Sequence, residues 1–170
     1  MAFLCLELVN LLNRCLGINP AAATLLLIGL TSNAYGDFTG KVVNVADGDT
    51  ITVLRDRTQV KVRLLEIDAP EKAQAFGTKS KESLSEMCFG KTAELADKGK
   101  DRYGRVLARV TCDGVDANAE QVRRGMAWVY DRYVTDKTLY AVQEEAKAER
   151  RGLWQDEKPL PPWEWRKTKR

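Results

Sequence analysis

The residues of this chain best equipped for chemistry stand in one stretch, Arg63-Leu64-Leu65-Glu66-Ile67-Asp68-Ala69-Pro70-Glu71. An apolar, strand-like run ends there in a proline-marked turn that carries two carboxylates, Asp68 and Glu71, with a guanidinium just upstream. A second acidic turn, Asp47-Gly48-Asp49-Thr50, precedes it, and a second arginine follows in Asp101-Arg102-Tyr103-Gly104-Arg105. If folding brings the three pieces to one place, Asp49 and Asp68 can share a hard cation. Calcium suits them, because it accepts carboxylate and backbone carbonyl oxygens at flexible geometry. Glu71 can then orient or deprotonate a water, and Arg63 and Arg105 can clamp phosphate oxygens with planar forks. The chain holds no histidine, which removes the commonest general base and the commonest zinc ligand. Plainer roles compete at each position: Asp47 and Gly48 as turn formers, Asp68 and Glu71 as caps of the next segment, and Arg63 and Arg105 as structural ion-pair partners.

Positioning such groups requires strands that end at one rim. Three strand-like segments, Thr39 to Val45, Thr50 to Leu54 and Thr58 to Leu65, flank the turns Asp47-Gly48-Asp49 and Arg55-Asp56-Arg57, which predicts a meander. The period then changes. Phe76, Ser80, Leu84, Met87 and Cys88 recur at helical steps with Gly90 placed as a stop. Lys91 to Asp97 and Val106 to Cys112 read as two further strands. A short helix is expected from Asp116 or Asn118 to Arg124, and a longer one from Lys137 to Arg151, with Leu153 and Trp154 folding back on the core. Pro159, Pro161 and Pro162 predict an extended tail. Five strands with a helix after the third is the order of an OB-type barrel, so the fold class is α+β: a five-stranded barrel packed by about three helices. Barrels of this kind present a face that binds single-stranded nucleic acid. Trp128, Tyr130 and Tyr133 are either base-stacking platforms or packing, and so are Trp163 and Trp165 of the tail.

The 170 residues carry 27 Lys and Arg against 24 Asp and Glu, a net charge of +3. From Trp163 onward there are four basic residues and one acidic one, so the short tail supplies the surplus, and affinity for a polyanion has to come from clustered cations. Residues 1–36 differ from the rest. Arg14 precedes a small-residue and leucine run, Ala21 to Leu30, followed by two small-x-small sites ending at Ala34 and Gly36. This reads as a secretory signal, making the mature protein exported, periplasmic or secreted, without stable membrane association once the leader is cleaved. An uncleaved anchor that also uses Phe3 to Leu12 is the alternative. Cys5 and Cys15 fall in the leader, and the remaining pair, Cys88 and Cys112, lacks metal-site spacing and is expected to form a disulfide. The domains are therefore 1–36 leader, 37–156 barrel domain and 157–170 Pro/Trp-rich basic tail.

In order and spacing, the three motifs Asp47 to Thr50, Arg63 to Glu71 and Asp101 to Arg105 resemble those of the staphylococcal nuclease (thermonuclease) family, over roughly Phe38 to Trp154. The resemblance implies an OB-fold, calcium-dependent phosphodiesterase acting on DNA and RNA and leaving 3′-phosphate ends. By position, Asp49, Asp68 and the Ala69 backbone carbonyl match the calcium ligands, and Glu71 matches the residue that handles the attacking water. Arg63 and Arg105 match the phosphate clamp, and Arg102 and Tyr103 the surroundings of the nucleotide's terminal phosphate. Ala69 stands where the best-known member has threonine, and the loop from Pro70 to Phe76 is shorter. A monomer is expected. The rival is a non-catalytic single-stranded nucleic-acid-binding OB module, which has no need of the full acid and arginine set.

Overall fold

The computed structural model describes residues 36–169. Apart from Gly36, the leader expected over 1–36 lies outside the described residues. Strands β1 (Phe38–Asp47), β2 (Thr50–Arg55) and β3 (Thr58–Leu64) form the expected meander, with Val42 opposite Val53 and Ile51 opposite Val62. After a two-residue β4 (Ile67–Asp68) comes helix α1 (Gly77–Cys88), then β5 (Thr92–Lys100) and β6 (Val106–Cys112). β5 pairs antiparallel with β1 and with β6, while β6 runs parallel to β3 with Val62 opposite Val106. That last pairing closes the sheet, and the strands run β1-β2-β3-β6-β5 around a barrel. Closure removes the free edges. The expected five-stranded barrel is thus present.

Alternation fills its interior. In β6, Val106, Ala108, Val110 and Cys112 are buried and their neighbours partly exposed, and Val62 and Leu64 do the same in β3. Ser80, Leu84, Met87 and Cys88 form the buried face of α1 at helical spacing. Cys88 and Cys112 end their respective elements with Cα atoms 5.3 Å apart and form the expected disulfide. Beyond β6, Asp113 and Gly114, with φ of 49° and 77°, make a tight turn into β7 (Val115–Asp116). Asp116 then caps α2 (Ala117–Arg123) by accepting the Ala119 N–H at 3.1 Å. β8 (Trp128–Val129) pairs with β4, and α3 (Thr138–Ala148) packs behind it, where Gln143 Oε1 accepts the Val129 N–H at 2.8 Å. A 3₁₀ turn, Gly152–Gln155, buries Leu153 and Trp154 as expected.

The tail departs from the sequence expectation. Instead of remaining extended, it forms the fourth α-helix among the described residues, α4 (Pro162–Thr168). Pro161 is its N-cap and Pro162 its first helical residue, where a proline lacks only an N–H that would have no partner anyway. Among the described residues no helix is long and apolar enough to cross a membrane.

Candidate active site

The site is built at one rim from the ends of β2, β3 and β4. The β1–β2 turn is Gly48-Asp49, and Asp47 Oδ1 accepts the Asp49 N–H at 3.1 Å, so Asp47 serves the turn. Thr50 faces Arg63 across the β2–β3 ladder, and the Leu64 N–H donates to the Asp49 carbonyl at 2.8 Å. Glu66, at φ 67°, breaks the line of β3 and turns the chain into β4. Asp68 then returns beside Asp49, and the Ala69 N–H donates to Asp49 Oδ2 at 2.7 Å. One guanidinium nitrogen joins the pieces. Arg63 Nη2 lies 3.0 Å from Asp49 Oδ2 and 2.9 Å from Asp68 Oδ1. Both carboxylates are sequestered, Asp49 at 6% exposure and Asp68 at 2%. Burial pushes the Asp49 carboxyl up to about 7. Arg63 pulls against that rise, Asp47 adds to it, the Ala69 N–H opposes it and Asp68 adds to it.

Glu71 lies at the open side of this pair and is tied to it by a residue from the far end of the chain. Arg166 Nη2 is 2.7 Å from Asp68 Oδ2, and its Nη1 is 2.8 Å from Glu71 Oε1. The turn after Glu71 is closed by the Gln74 N–H on the Glu71 carbonyl at 2.8 Å, and Gln74 Nε2 reaches the Leu160 carbonyl at 2.5 Å. Neither Asp68 nor Glu71 caps α1, whose N-cap is Phe76 with no side-chain cap.

Arg105 stands outside this ion-pair cluster. Its Nε pairs with Asp101 Oδ2 at 2.7 Å, and Asp101 Oδ1 accepts the backbone N–H groups of Tyr103 and Arg105. Arg105 immediately precedes Val106, the first residue of β6, which faces Val62 in the parallel pairing, whereas Arg63 faces Leu107. Arg105 therefore stands two residues before the level of Arg63, at the start of the neighbouring strand. Tyr103 is 69% exposed, with the Arg102 and Arg105 guanidinium groups 4.7 and 5.7 Å from its ring centre. Of the expected site residues, Asp49, Arg63, Asp68, Ala69 and Glu71 are brought together. Arg102, Tyr103 and Arg105 form an adjacent cationic turn. Among the described residues, no group of three or more acidic, cysteine or histidine side chains forms a cation cage.

The supports of this rim are residues that motif reading passed over. Gln121 of α2 is fully buried and sends Nε2 to the Gly48 carbonyl at 2.7 Å and to the Ser80 carbonyl at 3.0 Å, tying the Asp49 turn to α1. A polar residue between the apolar positions of a short helix carries no periodic signal. Glu66 accepts the N–H groups of Thr135 and Asp136 at 2.7 and 2.8 Å and pairs with Arg109 at 2.9 Å. Burial alone would raise its carboxyl, but the bonds from Thr135, Asp136 and Arg109 hold it below the usual range. Two of the candidate stacking aromatics are already covered. Trp163 lies parallel to Tyr130 with ring centres 5.4 Å apart and meets Trp128 edge-on at 5.7 Å.

Comparison with known proteins gives the family. The staphylococcal nuclease homologue family matches residues 61–156, more than half of the chain, spanning Arg63, Asp68, Glu71 and Arg105. An uncharacterized endonuclease of Escherichia coli is 47% identical over 134 residues, covering 78% of this chain and 88% of that protein. A micrococcal nuclease of Shigella flexneri is 40% identical over 159 residues, covering 87% and 90%. A staphylococcal-like nuclease of Arabidopsis thaliana is 36% identical over 110 residues, which are 65% of this chain but 34% of that larger protein. With the barrel, the ordered motifs and near full-length similarity in agreement, the chain belongs to the staphylococcal nuclease homologue family.

Proposed function

We propose that this nuclease is a calcium-dependent phosphodiesterase that hydrolyses DNA and RNA and leaves 3′-phosphate ends. The observation that carries the reading is the meeting of Asp49 Oδ2 and Asp68 Oδ1 at a single cationic atom, Arg63 Nη2, with Glu71 alongside. Calcium fits these residues. The donors are hard oxygens, two of them already converge on one positive centre, and the burial that disfavours the Asp49 carboxylate is offset by a divalent charge. Asp49, Asp68 and the Ala69 carbonyl would hold the ion, which when bound supplies Lewis acidity at a phosphate oxygen.

The chain's own groups do the remainder. Glu71, the most accessible of the three carboxylates, accepts a proton from the attacking water as its oxygen bonds to phosphorus. The bond from phosphorus to the 5′ oxygen breaks, and that oxygen takes a proton from solvent water while Glu71 returns its own to solvent. Arg63 and Arg105 bind the equatorial oxygens as their charge grows, the first from inside the carboxylate cluster and the second from the turn before β6. Arg102 and Tyr103 meet the flanking terminal phosphate. Export is proposed as well. The Cys88–Cys112 disulfide suits an oxidising compartment, and a purified protein whose N-terminus begins at Met1 would refute leader cleavage.

Digestion of single-stranded DNA and RNA in calcium, with a chelator control and Glu71→Ala alongside, tests the reading. Cleavage is expected only for the wild type in calcium, and the Glu71→Ala protein is expected to bind DNA without cutting it. A folded wild type that binds DNA and never cuts it in calcium would instead be the non-catalytic binding module.

A further inference from the structure

The C-terminal helix α4 closes over the carboxylates from outside the barrel. Both oxygens of Asp68 are taken by guanidinium groups: Oδ2 by Arg166 Nη2 at 2.7 Å, and Oδ1 by Arg63 Nη2 at 2.9 Å and Arg166 Nη1 at 3.3 Å. Arg166 Nη1 also holds Glu71 Oε1 at 2.8 Å. The Asp68 side chain is only 3% exposed, so a new ligand reaches it from the side that Arg166 occupies. We propose that α4 is a strap in which Arg166 competes with the divalent cation for Asp68, so that calcium loads the site by displacing this guanidinium. The inference rests on the calcium reading above and adds to it a competitor built into the chain.

The strap is seated by specific contacts and is otherwise lightly held. Trp163 lies flat on Tyr130, Pro162 is buried, and the Leu160 carbonyl accepts from Gln74, which also closes the turn at Glu71. A seven-residue helix has little stability of its own. Within α4 only Pro162 is fully buried, and residues 155–158 of the connection are exposed. Docking therefore depends on two side chains, Trp163 as the apolar anchor and Arg166 as the ionic one. A bidentate fork satisfies two carboxylates at once. A lysine, as a single point charge, would bridge them less well. With Arg166 displaced, Arg63 Nη2 still sits between Asp49 and Asp68. A cation entering there turns Arg63 outward to meet phosphate, so the strap blocks cation loading without removing the phosphate clamp.

Calorimetric titration of calcium chloride into the full chain, without nucleic acid, tests this. The proteins compared are the wild type, Arg166→Gln, Arg166→Lys, Trp163→Ala and Asp68→Asn. If the closed strap outnumbers the open form by about ten to one, the apparent affinity is lowered by that factor. Arg166→Gln and Trp163→Ala should then each bind calcium about tenfold more tightly than the wild type, Arg166→Lys should fall between, and Asp68→Asn should lose binding. Equal or weaker binding by a folded Arg166→Gln protein, with calcium still bound by the wild type, overturns the competition and leaves the calcium reading intact. Arg166 would then be a structural or Glu71-positioning group. Absence of calcium binding in every variant overturns the calcium reading and the strap's role together.

Discussion

Gly48→Ala is a demanding test of how the site is held. Gly48 is not in the left-handed region, so its requirement for glycine is one of space. A Cβ there would lie 1.8 Å from Ser80 Oγ and 2.8 Å from both Ser80 Cβ and Ala69 Cβ. Ser80 cannot simply swing aside. It is fully buried, and its Oγ donates to the Met126 carbonyl at 2.6 Å. Overpacking of this kind costs roughly 1–3 kcal/mol. Rotating the hydroxyl away leaves the partly buried Met126 carbonyl without this donor, and the buried hydroxyl without its acceptor, for about 1–3 kcal/mol more. A total of roughly 2–6 kcal/mol is expected, read as a lower urea midpoint at unchanged slope. Because Gly48 immediately precedes Asp49, relief comes by lifting the turn, and a displacement on the order of 1 Å is expected to lower kcat/KM by roughly a hundredfold. Ser80→Ala removes the nearest obstacle, so the double variant should be more stable than the two single losses added together, by about 0.5–3 kcal/mol. If Gly48→Ala unfolds at the wild-type midpoint and cuts at the wild-type rate, or if the two losses simply add, the account of the turn is wrong.

Other perturbations probe separate parts of the molecule. Replacing Cys88 and Cys112 by alanine opens a loop with a separation of 24 residues and should cost about 3 kcal/mol in urea unfolding, with reductant destabilising the wild type but not the variant. Glu66→Gln keeps the shape but removes one of three carboxylates facing Arg109, with Asp116 and Asp136 remaining at 2.6 and 3.2 Å. A loss of roughly 1.5–3 kcal/mol, that of a hydrogen-bonded charge, is expected near neutral pH. Folding lowers the Glu66 pKa from an ordinary value of 4.5. Its contribution is therefore present above that value and lost as pH falls through the folded one, so the stability gap between wild type and Glu66→Gln should be level from pH 6 to 8 and narrow in acid. A gap that widens in acid would refute this assignment. Arg63→Ala should lower kcat/KM by roughly a hundred- to a thousandfold, and Arg63→Lys should recover only part, because an ammonium cannot bridge as the fork does. Full recovery by lysine would show that charge alone matters there.

The parts legible in the sequence are those written in local pattern. Period-two alternation from Thr58 to Leu64 and from Val106 to Cys112, with the Asp-Gly turn between β1 and β2, was enough to propose the barrel. The motif residues could be placed at one rim because each closes or follows a strand. Illegible features depend on partners far apart in sequence. Gln121 reaches Gly48 across 73 residues, and Glu66 gathers Thr135 and Asp136 from about as far. The clustered prolines misled because their local preference for extended chain is real, whereas at Pro161 and Pro162 the same fixed φ starts a helix that Trp163 and Arg166 then hold in place. Arg166 makes the point most sharply. It lies 98 residues from Asp68, in a basic tail whose charge suggested attraction to an external polyanion. The anions it meets in the fold are the chain's own carboxylates, so a tail's charge alone cannot distinguish a substrate grip from a plug on the site that acts on the substrate.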